Sequence, residues 1–265
     1  MPSLPIELPH TVVISGTASG LGAECASLLT KAGVEVIGVD VSSVPSGAPA
    51  MRSYRHVQGS VSDEETWDAV LAVLDEAGWT PDLSLGFIGA AAILHVGMLL
   101  DEDLSVWERT WRVNVMGNVI GLRALLPRLI EASRGSVVVV TSVDASFAEQ
   151  QLAHYASSKG ALEMAVRTIA LDYARTGVTI NLLAPGPMRA GLFERHLAAS
   201  ADPEAFLSTR TARQPIGRII GADEVANAAA FLLSDQASGL FATTVTVDGG
   251  LTSGFDFRPW ATVDA

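Results

Sequence analysis

The 265-residue sequence predicts a single α/β domain built on a doubly wound parallel sheet with helices on both faces. Three observations predict it. Short β-branched or apolar runs alternate with longer stretches of helical periodicity, and the runs are apolar throughout, as strands covered on both faces are. No repeat, low-complexity tract or Pro/Ser linker divides the chain.

In chain order, "TVVIS" predicts a strand at 11–15, followed by a glycine-bearing turn and a helix over 20–32. "VEVIGVD" predicts a second strand at 34–40, and a helix follows over 63–77. The most apolar window, 83–100, contains Ser84, His95 and the small residues Gly89 to Ala92. It reads as a buried strand at 85–90 running into a loop, not as a membrane span. A long helical pattern over 103–131, a strand at 137–142, a helix over 152–176 and a strand at 178–184 come next. A helix over 222–234 and a strand at 244–247 close the core, which spans about 9–250. Between them, about 187–217 is a long insertion with helical character near 192–199 and 203–209, the kind of connection that forms a lid. The tail, 251–265, carries Phe255, Phe257, Pro259 and Trp260, and is expected to pack on its own or a neighbouring subunit.

The formal charge of −12 argues against nucleic-acid and anionic-membrane partners. Mean hydropathy of +0.34 and 49% hydrophobic residues mark a folded chain. Cys25 is the single cysteine, so no internal disulfide forms; early in its helix it reads as a small buried side chain. No basic stretch leading into an apolar run opens the sequence, and a cytoplasmic location is the expectation.

The loop of Ser15, Gly16, Ser19, Gly20, Leu21 and Gly22 lies between the first strand and first helix. Glycines there let backbone N–H groups approach a phosphate closely, and the helix N-terminus adds a favourable dipole. Asp40 ends the second strand about 18 residues past that loop, where a carboxylate accepts hydrogen bonds from ribose hydroxyls and repels a 2′-phosphate. Val41, Ser42 and Ser43 follow it, not a base, so NAD is expected over NADP.

"HYASSKGA" places Tyr155 and Lys159 four residues apart on one helical face, in a chain with three tyrosines and two lysines. A neighbouring ammonium favours phenolate and makes tyrosine an acid or base near neutral pH. Ser142 lies thirteen residues upstream at the carboxyl end of a strand, and Asn114 lies within the long helical pattern.

With these residues in this order, residues 9–250 resemble the classical short-chain dehydrogenase/reductase family, which implies a Rossmann-like fold. The resemblance implies Tyr155 as the general acid/base opposite nicotinamide and Lys159 as the cation that tunes it and binds the nicotinamide ribose. Ser142 would orient the substrate oxygen, and Asn114 would hold the helix and a water leading toward Lys159. Pro185 and Gly186 would border the nicotinamide, with Ser60, Val61, Ala90, Ala91 and Met188 as further cofactor positions. Leu94, His95, Asp144, Gln150, Gln151 and Met188 are the substrate positions so implied, Asp144 and His95 also reading as structural residues. Where the family commonly has Asn-Asn-Ala-Gly, this chain has Gly89, Ala90, Ala91 and Ala92. Ser60 replaces an acid near the adenine, and Ala190 replaces a threonine after Pro-Gly.

The expected function is NAD-dependent interconversion of a secondary alcohol and a ketone on a small or medium, largely apolar molecule such as a cyclic, aromatic or steroid alcohol. A 3-ketoacyl-acyl-carrier-protein reductase and a non-catalytic NAD-sensing protein are the rival readings. No metal site is expected. Leu152, Leu162, Met164, Ala165, Val166, Ile169, Ala170 and Tyr173 cover more of helix 152–176 than one core face needs, which predicts a homodimer or homotetramer.

Overall fold

The computed structural model describes residues 6–43 and 53–254, so the aromatic tail residues Phe255, Phe257, Pro259 and Trp260 lie outside the described residues. Seven strands form one parallel sheet: β1 (Thr11–Ser15), β2 (Glu35–Asp40), β3 (Tyr54–Gln58), β4 (Leu85–Gly89), β5 (Gly135–Val140), β6 (Val178–Pro185) and β7 (Thr244–Val247). Their order is β3-β2-β1-β4-β5-β6-β7, every neighbouring pair parallel. Six of these strands match the sequence reading to within about two residues. β3, "YRHVQ", was absent from it: as an edge strand it buries Val57 alone, so its sequence lacks an apolar run.

Helices cover both faces. α1 (Gly20–Lys31) and α8 (Ala222–Leu233) pack Leu21, Cys25, Leu29, Val225, Ala229 and Leu232 against Val12, Ile14, Val36, Ile88 and Val138. On the other face, α2 (Glu64–Glu76), α4 (Gly117–Glu131) and α5 (Ala153–Asp172) pack Trp67, Leu74, Leu122, Leu125, Leu129, Leu162 and Val166 against Val13, Ile37, Phe87, Val137 and Ile180. Alternate residues of each strand feed the two cores, which is why the strands read as continuous apolar runs. Cys25 is 1% exposed, and burial pushes its thiol up to about 12, so it is an inert core residue.

The helical pattern predicted over 103–131 is not one regular helix. α3 (Leu104–Trp111) passes into a π-helical turn at Arg112–Met116 before α4 begins. The widened turn carries Asn114 at 0% exposure, and such turns cluster at functional sites. Leu104–Glu131 is long and apolar enough to cross a membrane by composition, yet α4 packs on β4, β5 and α2 as a core helix. The insertion forms α6 (Gly191–Ala199) and α7 (Pro203–Ala212), which pack on each other through Phe193, His196 and Phe206.

Trp67 anchors the α2 face: it is 1% exposed, meets Phe87 edge-on at 5.8 Å and donates its indole N–H to the Val61 carbonyl at 2.9 Å. Trp67→Ala is expected to lower the unfolding free energy by about 3–5 kcal/mol, read from the urea midpoint. A loss below about 1 kcal/mol would contradict this packing role.

Candidate active site

The strand order reverses between β1 and β4, whose following chains leave toward opposite sides of the sheet. Outside their carboxyl ends lies a cleft of about 1310 Å³. Gly16, Ser19, Gly20, Leu21, Gly22, Asp40, Ser60, Val61, Ala90 and Ala91 line one part, and Ser142, Asp144, Gln150, Tyr155, Lys159, Pro185, Gly186 and Met188 another. The structure therefore gathers most of the residues the sequence singled out into one cavity.

The dinucleotide end fits its group. Gly16 has φ +79°, and a Cβ there would lie 2.9 Å from Ala91 Cα; a Cβ on Gly22 would lie 2.3 Å from Gly16 O. The turn closes only with glycine, leaving bare backbone at the start of α1. Asp40 is held at the end of β2 by N–H groups of Ala18 and Ser42, each at 2.9 Å. The Ser60 hydroxyl accepts from Ser62 N–H at 3.1 Å and so is partly spent on its own turn.

Three expected site residues do not line the cleft. Ser15 is 2% exposed, and its hydroxyl accepts N–H bonds from Ala90 and Ala91, both at 3.1 Å. It tethers the β4 loop from below instead of facing a ligand. Asn114 accepts from Ile93 N–H at 2.8 Å and donates to Ile93 O and Ser158 Oγ, both at 3.0 Å. It ties the same loop to α5 from within the core. These two residues supply the side-chain bonds that Gly89 to Ala92 lack. A Cβ at Gly89 would meet Asn118 Oδ1 at 2.1 Å, so a side chain there would displace the Asn118 amide. His95 is exposed and turned toward the His154 ring, 6.2 Å away, outside the cleft. His154 itself is 0% exposed, its Nδ1 3.4 Å from Glu102 Oε1, and burial lowers its pKa below the usual imidazole value.

At the other end of the cleft, Lys159 is 2% exposed and donates from Nζ to Val140 O at 2.9 Å; Nζ stands 5.8 Å from the Tyr155 ring centroid. Burial pulls the Lys159 ammonium down to about 8, with Asp144 opposing. Burial also raises the Tyr155 phenol above its usual value, as does Asp144, while the Ser142 hydroxyl counters. The expectation of a lowered phenol rests on the Lys159 ammonium, and burial acts in the opposite direction.

Residues that the sequence reading passed over complete the cleft. Arg210 on α7 pairs with Glu149 and stacks 5.0 Å from Phe206, while Phe147, Leu192 and Phe193 add an apolar wall. The i and i+4 spacing of Phe206 and Arg210 was a legible sign that they share a helix face.

The comparisons agree with this geometry. A family model described as enoyl-(acyl carrier protein) reductase matches residues 16–252. A cis-4-hydroxycyclohexanecarboxylate dehydrogenase of Sinomonas cyclohexanicum is 32% identical over 254 residues, 92% of this chain and 97% of that one. A 2-(S)-hydroxypropyl-CoM dehydrogenase of Xanthobacter autotrophicus is 30% identical over 248 residues, again 92% and 97%. The ligand-free aldohexose dehydrogenase of Thermoplasma acidophilum superposes with a TM-score of 0.85 at 26% identity, over 95% of this chain and 97% of that one. Fold and relatives together define an oxidoreductase of CH–OH groups. More particularly, the chain belongs to the short-chain dehydrogenase/reductase family.

Asp144 gives the site a measurable titration. Burial, then Glu149, pushes its carboxyl up to about 6, against the Ser142 hydroxyl, Arg210 and Lys159; in an unfolded chain it titrates near 3.9. The folded protein thus retains a proton the unfolded chain releases, so this group's stabilising contribution is full below about pH 4 and lost as pH rises to about 6. Asp144→Asn removes the titration, and its stability relative to wild type is expected to rise over that interval in urea titrations. A difference that stays constant with pH would contradict this.

Proposed function

We propose that the chain is an NAD-dependent dehydrogenase interconverting a secondary alcohol and a ketone on a small or medium, largely apolar molecule. The observation carrying this is the convergence of Ser142, Tyr155 and Lys159 on one apolar-walled cleft, with Asp40 at its far end. The nicotinamide supplies the hydride acceptor for oxidation and the donor for reduction.

Tyr155 receives the alcohol proton as the carbonyl forms and returns it in the reverse direction. In the reduction direction the protonated phenol is the donor; in the oxidation direction the phenol first gives its proton to solvent, and the Lys159 ammonium is the cation that favours the phenolate, which then takes the alcohol proton. The Ser142 hydroxyl is 3.3 Å from Asp144 Oδ2 and accepts from Asp144 N–H at 3.1 Å, which fixes it to orient the substrate oxygen. Asn114 is a positioning residue that holds Ser158 on the turn of α5 between Tyr155 and Lys159. Phe147, Leu192, Phe193 and Phe206 favour a ring-bearing alcohol, in keeping with the cyclic substrate named for the Sinomonas relative.

Asp40 supports NAD over NADP, because its fixed carboxylate repels a 2′-phosphate and no cation follows it. Tyr155→Phe is expected to lower kcat by roughly 10²–10⁴-fold on cyclic alcohols while leaving the NAD Kd within about threefold of wild type. Turnover that survives the substitution, or wild-type turnover faster with NADP than with NAD, would overturn the corresponding part of the proposal.

An exposed apolar surface supports self-association of the chain. Met164 and Leu171 on α5 are 62% and 67% exposed, and Trp111 and Met116 nearby are 40% and 41%. Such a surface suits a symmetry mate, so light scattering at micromolar concentration is expected to give a dimer or tetramer. A monomeric mass would contradict it.

A further inference from the structure

The glycine loop has no cation of its own, although a pyrophosphate brought there adds negative charge to a chain already at −12, beside Asp40. Ser19, at the N-cap of α1, makes no capping bond. Its hydroxyl instead accepts from Arg195 Nη1 at 3.4 Å. Arg195 lies on α6, the first helix of the lid, and its side chain lines the cleft.

The seat of α6 brings it there. A Cβ on Gly191 would lie 2.9 Å from Gly20 Cα, and Gly191 has φ +54°, so the helix starts in backbone contact with the glycine loop and only glycine permits it. The preceding residue, Ala190, caps α6 with no side-chain oxygen and leaves that spot without a hydroxyl. Arg195 is exposed and has no carboxylate partner among the described residues, unlike Arg189 and Arg210 in the same insertion. A 3.4 Å bond to a neutral hydroxyl is a loose hold for a guanidinium, whose planar fork suits phosphate oxygens far better.

We infer that Arg195 is a pyrophosphate clamp: with a dinucleotide in the cleft, its guanidinium exchanges Ser19 for the pyrophosphate oxygens and fixes α6 over the glycine loop. This rests on the dinucleotide reading of the cleft. Cofactor binding thereby holds the lid in its seat and steadies the apolar wall that Leu192 and Phe193 present from the same helix.

Calorimetric titrations of the purified protein with NAD, ADP-ribose and adenosine, paired with amide hydrogen exchange, test it. Arg195→Ala is expected to weaken NAD and ADP-ribose alike by roughly tenfold, a charge-assisted hydrogen bond's worth, and to leave adenosine unchanged. Arg195→Lys is expected to recover part of the loss, with thermal melting unchanged in both variants. NAD is expected to slow exchange over residues 191–199 in wild type and not in Arg195→Ala. Arg195→Ala binding NAD within twofold of a wild type that binds it would overturn the clamp alone, as would an equal loss for adenosine. A wild type that binds no dinucleotide would overturn the dinucleotide reading and the clamp with it.

Discussion

The reversal of strand order between β1 and β4 is the constraint on which the rest of the molecule depends. In a sheet whose strands all run the same way, every carboxyl end faces one edge, and the connections must cross to one side or the other. Where the crossings diverge, no helix fills the gap. The glycine turn after β1, Asp40 after β2, Ala90 and Ala91 after β4 and Ser142 after β5 all reach the same cleft for that reason. A side chain at Gly16 or Gly22 would fill the start of that gap with carbon, so the loop is as much a product of the sheet topology as of its own sequence.

Within the cleft, burial sets the electrostatics before any ligand does. Tyr155, Lys159 and Asp144 lie close together with little access to water, and each is pushed toward its neutral form. The Val140 carbonyl holds the Lys159 ammonium where side-chain rotation alone would let it move away. Ser142 is hydrogen-bonded to Asp144, so the charge on one carboxylate is felt at both the Ser142 hydroxyl and the Tyr155 phenol.

The lid is a separate physical layer. α6 and α7 bury no residue fully, and they are held by ring contacts among Phe193, His196 and Phe206, by the Arg210–Glu149 pair and by the Gly191–Gly20 contact. Few buried contacts and several exposed polar ones describe an element of low local stability, which is what a cover that admits a substrate requires.

The sequence by itself determined the class of fold and six of the seven strands, and it singled out Tyr155, Lys159, Ser142 and Asp40 as candidate site residues, because apolar runs, helical spacing and the glycine loop are local patterns. It left β3 unread, since an edge strand with one buried residue carries no such pattern, and it gave a continuous helix where a π-turn sets Asn114 into the core. Only the tertiary structure decided that Ser15 and Asn114 face inward to hold the Gly89–Ala92 loop, that His95 turns away from the cleft, and that Arg195 and Arg210 enter it. Each of those outcomes depends on a partner far along the chain: Ala90 for Ser15, Ser158 for Asn114, Ser19 for Arg195, Glu149 for Arg210. A hydrogen bond or ion pair between distant residues has no period in the sequence, and it becomes legible only once the sheet has brought its two ends together.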